Sequence, residues 1–131
     1  MKKIITAKDA PAAVGPYSHA VKVGNSMYLS GQIPINPETG EIPEGIEAQT
    51  RQVFKNISAV LKAGEMNFGD AIICEVFLKD MGDFGTMNKV YAEVFDPYCK
   101  DTGYPARAAV AVKTIPKDCL VEIKVTAIKD E

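Results

Sequence analysis

Tyr104–Ile123 reads YPARAAVAVKTIPKDCLVEI, and the fold depends on how this stretch pairs. Ala108, Val110 and Val112 alternate with Ala109, Ala111 and Lys113, the period of a β-strand. Ile115-Pro116-Lys117-Asp118 reads as a turn. Leu120, Val121, Ile123 and Val125 then predict a second strand, which carries one carboxylate, Glu122. Arg107 opens the first strand directly after Pro105-Ala106. A hairpin would bring Arg107 and Glu122 together. Two readings of that pair stand: an anion-binding fork beside a base, or a partly exposed ion pair across two strands.

The segments upstream give the rest of the framework. Lys2–Thr6 predicts a short strand, and Asp9–Gly15 a loop. Ala20–Val23 and Met27–Leu29 flank Gly24-Asn25-Ser26 and predict a hairpin. Ile33–Glu44 is proline-rich surface loop. In Ile46–Lys62, Val53, Phe54, Ile57, Val60 and Leu61 form one helical stripe, with Gly64 as its stop. Asp70–Lys79 reads as a strand apolar enough to be buried on both faces. Asp83–Phe95 predicts a second helix, with Phe84, Met87, Val90, Tyr91, Val94 and Phe95 inward. Asp80 or Asp83 would cap it, and Pro97 would end it.

This order predicts an α+β fold with a mixed sheet and both helices on one face. Ala108, Val110 and Val112, with Val121, Ile123 and Val125, are expected to face the helices. Leu120 and Ile128 lie on the other side, which would be left uncovered, so an oligomer is expected. The 131 residues suit a single domain, 1–131, and 47% apolar residues supply a core. A formal charge of −2 and no basic run speak against non-specific nucleic-acid binding. No apolar run is long enough to span a membrane, and cytoplasmic is the default reading. Cys74, Cys99 and Cys119 are odd in number and lack CxxC spacing, which fits reduced thiols. One histidine and no clustered ligands give no basis for a metal. His19 has no Asp or Ser pattern around it and reads as a surface or turn residue.

Four further positions draw attention. Tyr17 follows Gly15-Pro16 on a stiff approach to the next strand, and otherwise reads as a packed aromatic. Ser30 and Gly31 end a strand. Gly31 would admit close backbone approach, or simply mark a bulge. Asn88 sits near the edge of the second helix's stripe, where an ordinary solvent-facing residue would also sit.

Pro105-Ala106-Arg107 opening an apolar strand, followed by Val121-Glu122-Ile123, resembles the signature of the RidA (YjgF-like) family of imine/enamine deaminases. Gly15-Pro16-Tyr17-Ser18, Ser30-Gly31-Gln32-Ile33-Pro34 and Asn88 extend the resemblance over essentially the whole chain. It implies a chorismate-mutase-like fold, a homotrimer and ligand pockets between subunits. It implies hydrolysis of 2-imino or 2-enamino acids, made by pyridoxal-phosphate enzymes, to 2-keto acids and ammonia, with no cofactor of its own. Arg107 would bind the substrate carboxylate and Glu122 would position or activate water. Tyr17, Ser30 and Asn88 match polar or wall positions, and Gly31 a backbone contact. Many members carry a cysteine where this chain has Ala109, so only a backbone contact carries over there. A keto-acid-binding regulator without turnover and an RNA-cleaving translation inhibitor are the alternatives.

Overall fold

The computed structural model describes residues 1–130. Its sheet is built outward from β6 (Val121–Ile128), whose even side chains point to one face and odd ones to the other. Val121, Ile123, Val125 and Ala127 are completely buried, as the alternation predicts. β3 (Ser26–Leu29) and β4 (Ala71–Leu78) flank β6, both antiparallel to it. β2 (Ala20–Val23) and β1 (Lys3–Ile5) continue past β3, and β5 (Ala106–Ala111) lies outside β4. The order is therefore β1-β2-β3-β6-β4-β5.

β4 and β5 run parallel, which requires a crossover. α2 (Phe84–Cys99) supplies it, and α1 (Ile46–Ala63) makes the equivalent crossing from β3 to β4. Two crossings of the same hand in the same direction leave both helices on one face. α1 packs there on α2 and β6. Phe54 of α1, Phe68, and Tyr91 and Phe95 of α2 meet edge-to-face or tilted, with ring centroids 4.6–5.9 Å apart.

Several expectations change. β5 and β6 are not a hairpin, because β4 lies between them. Ala108 and Val110 do not face the helices. They pair with Glu75 and Phe77, on the opposite face from Val76 and Leu78. Ile72 and Ile73 of β4 are about two-fifths exposed, so β4 is not covered on both sides within one chain. α2 runs one turn past the expected stop and includes Pro97. Pro97 has no N–H to give, so the Glu93 carbonyl one turn back loses its intrahelical donor, a loss confined to the helix's last turn. Asp83 makes no side-chain cap, whereas Asp80 accepts from the Gly82 N–H at 2.8 Å and caps the short turn before α2.

Buried amides fasten the loops that frame the site. Asn56 on α1 donates to the Ile33 and Ile35 carbonyls, at 3.1 and 3.0 Å. Gln49 donates to the Pro43 carbonyl and accepts from the Leu120 N–H, which fixes the chain just before β6. His19 is buried rather than on the surface. Its Nδ1 accepts from the Ala7 N–H at 2.9 Å, so Nε2 carries the proton and donates to the Pro11 carbonyl at 2.7 Å. The three cysteines are free and buried.

Candidate functional site

Arg107 and Glu122 stand on opposite faces of the sheet. Arg107 pairs with Cys74 of β4, whose side chain lies under the helices. Glu122 pairs with Phe77, one parity away, on the helix-free face. The expected contact between them is absent within the chain, and the predicted residues other than Ala109 divide into two clefts.

The first cleft encloses about 290 Å³ between α2 and the start of β5. Arg107, Asn88, Tyr91, Ala92, Tyr104 and Pro105 line it. Pro105 fixes the backbone one residue before the strand, and Arg107 then points toward α2. Phe84, Asn88 and Tyr91 are at i, i+4 and i+7, a single face of α2. The Asn88 side-chain oxygen accepts from Arg107 Nη1. The guanidinium carbon lies 4.7 Å from the Tyr91 ring centroid and 5.4 Å from that of Phe84. Among the described residues no carboxylate pairs with Arg107. Of its five N–H groups, one is committed to a neutral amide and the rest remain for an anion. Tyr104 donates to Asp96 beside the cleft.

Beneath this cleft, the Tyr91 hydroxyl is a buried polar atom with no conventional partner. Its neighbour is the Cys74 thiol, a weak partner. Burial pushes the Cys74 thiol up to about 12, against smaller opposing effects of Tyr91 and Arg107. A thiol so held is neutral and not a nucleophile.

The second cleft, about 450 Å³, is lined by Tyr17, Ser30, Gly31 and Glu122, with Val14, Ile33, Pro116 and Lys124. From Tyr28, opposite Thr126, to Gln32, opposite Ile123, the chain takes four steps against three on β6. That is a bulge with Gly31 inside it. The bulge read at Gly31 is present, and the group that lies against the glycine is the Glu122 side chain. A β-carbon on Gly31 would overlap Glu122 Oε2 and come within 3.1 Å of Cδ. Burial raises the Glu122 carboxyl above its ordinary value. The Ser30 hydroxyl donates to the Ser18 carbonyl at 2.7 Å, so it faces the cleft as an acceptor only. The Tyr17 hydroxyl accepts from the Val14 N–H at 3.3 Å and closes the loop over the cleft.

Ala109 lines neither cleft, and its side chain packs against the core. Phe84 and Tyr91 were legible only as core stripe. Their spacing from Asn88 was the available signal that they also face Arg107. Lys117 and Asp118, at φ 58° and 55°, form a left-handed turn without glycine beside Pro116. The Lys79–Asp118 pair, at 2.9 Å, braces it. Nothing in the sequence marks that strain. Among the described residues, no three His, Cys, Asp or Glu side chains gather as a metal-binding group. None of the helices there is long and apolar enough to cross a membrane.

One mixed sheet, two helices on one face and two polar clefts on opposite sides of that sheet define a small α+β protein. The family model described as Endoribonuclease L-PSP matches residues 7–129, and the chain belongs to this family, also called RidA or YjgF. A RutC family protein of Pyrococcus horikoshii is 50% identical over 131 residues, covering 99% of this chain and 100% of that one. The 2-iminobutanoate/2-iminopropanoate deaminase of Escherichia coli K12 is 42% identical, covering 98% and 99%. The crystal structure of Escherichia coli TdcF with bound serine superposes with a TM-score of 0.93 at 41% identity, covering 98% and 99%.

Proposed function

We propose that the chain hydrolyses reactive 2-imino and 2-enamino acids to 2-keto acids and ammonia, at sites completed between the subunits of a homotrimer. The observation that carries this reading is the Arg107 guanidinium, held by a neutral amide and left without a carboxylate. An unpaired cation in an apolar cleft suits an anion brought by the substrate. The deaminase named among the relatives supports the reaction class.

Arg107 grips the substrate carboxylate. Glu122, from a neighbouring subunit, takes a proton from water as its oxygen adds to the protonated imine carbon. The C=N bond becomes a single bond, giving a carbinolamine. Glu122 returns the proton to nitrogen, the C–N bond breaks, and the carbonyl forms. The hydroxyl proton leaves with the ammonia as ammonium. An enamine first takes a proton at its β-carbon to become the imine. Desolvation makes the Glu122 carboxylate a better base than one in water. A backbone contact at Ala109 and the Gly31 backbone would help hold the carboxylate.

RNA cleavage, which the family's description also names, finds little support in an acidic chain. Its only histidine is buried, with both ring nitrogens engaged.

The test measures keto acid formed from an imine generated in situ by a pyridoxal-phosphate dehydratase, with purified RNA as a parallel substrate. Arg107→Ala should lose roughly a hundredfold or more in kcat/KM, since two charge-assisted hydrogen bonds go at about 1.5–3 kcal/mol each. Parent-like turnover by a folded Arg107→Ala protein would remove the reading.

A further inference from the structure

We infer that the ring faces of Phe84 and Tyr91 are the positioning device for Arg107, fixing the plane of its guanidinium while leaving its charge open to an incoming carboxylate. The inference rests on the reading of Arg107 as the carboxylate-binding group and adds two positioning residues to it.

A long exposed arginine samples many rotamers, and a rotamer-rich side chain must be ordered before it can grip a ligand bidentately. The usual way to hold an arginine is a carboxylate. At a binding site, that carboxylate would occupy the fork and compete with the substrate. An aromatic face attracts the cation through its quadrupole and supplies no anion. Arg107 has two such faces, at 4.7 and 5.4 Å from its guanidinium carbon. Asn88 adds one directional bond, which limits rotation within the plane. Tyr91 is itself fixed, 5% exposed and packed against Phe54 and Phe95. Phe84 is half-buried at the start of α2. All three residues fall on one stripe of one helix, so a single element holds the whole clamp.

The substrate carboxylate keeps its charge throughout the hydrolysis. Losing the clamp therefore weakens ground state and transition state alike, which raises KM and leaves kcat near the parent value. Ring–cation attraction of this kind corresponds to a factor of roughly 2 to 30 in affinity.

The experiment measures calorimetric binding of pyruvate, as the 2-keto acid probe, beside steady-state turnover and thermal melts. Phe84→Leu and Tyr91→Leu should each weaken pyruvate binding by about 2- to 30-fold and raise KM in step, with kcat little altered. Tyr91→Phe keeps the ring and should recover most of what Tyr91→Leu loses. Should Tyr91→Leu fail to fold, Phe84→Leu decides, because a half-buried position leaves no core-sized cavity. Unchanged pyruvate affinity in folded Phe84→Leu overturns the clamp. If Arg107→Ala abolishes that affinity in the same series, the carboxylate site stands and only the clamp falls. Conversely, ring-dependent pyruvate binding without any imine turnover keeps the clamp and removes the deaminase.

Discussion

Gly31 and Glu122 show how one residue's missing side chain sets another's chemistry. The Glu122 carboxylate rests where a Gly31 β-carbon would be. Gly31→Ala should push that carboxylate aside at small cost in stability, because a flexible tip moves more cheaply than backbone. The loss should fall on kcat, at least about tenfold and at most the roughly 10²–10⁴ that a general base contributes. Steady-state kinetics beside a melting curve would check it, and a parent-like kcat in Gly31→Ala would detach Glu122 from the chemistry. The raised carboxyl of Glu122 also has a sign in stability. An unfolded glutamate titrates near about 4.3. Between that value and its higher folded value the folded chain binds more protons than the unfolded one. Stability therefore falls as pH rises through this window, and the loss persists above it. Glu122→Gln should gain stability over the parent at pH about 7 and match it near pH about 3. Denaturant midpoints at the two pH values provide the measurement. A gain of equal size at both would mean that the carboxylate is not desolvated.

At the scale of elements, the sequence was most legible where one face alone is apolar. The α1 stripe and the β6 alternation hold as expected, because the apolar positions alone form a continuous face, while the buried amides Gln49 and Asn56 of α1 are satisfied by loop carbonyls. β5 was legible as a strand but not in orientation. Arg107, Ala109 and Ala111 on one side and Ala106, Ala108 and Val110 on the other are nearly all small and apolar, so the pattern does not say which set meets the helices. Pairing with β4 decides it, and pairing is long-range. The same holds for the split site. A short turn after an apolar strand implies a hairpin, but β5 already has β4 as its parallel partner through α2. β6 takes the other edge of β4. His19 was misplaced for a related reason, since its partners are the backbones of Ala7 and Pro11, which a sequence does not display. The residue types at the two clefts were legible from the family resemblance, whereas their division between two faces was not.

For the whole molecule, that division makes a prediction that neither cleft makes alone. Ile73, Tyr28 and Val110 leave apolar area on the helix-free face, the face that also carries Glu122. If the β5 and α2 flank of one subunit meets this face in the next, the contact is heterologous and closes as a ring. Each ring site then takes Arg107 from one subunit and Glu122 from its neighbour. Arg107→Ala and Glu122→Gln proteins, each nearly inactive, should therefore restore activity when unfolded together and reassembled in equal amounts. With random assembly, one site in four joins an intact Arg107 to an intact Glu122, so recovery should approach about a quarter of parent activity. Native mass measurement would confirm mixed trimers, and keto-acid formation would report the sites. Mixed trimers without recovered activity would place both residues' work within one subunit, and a stable monomer would remove the interfacial site entirely.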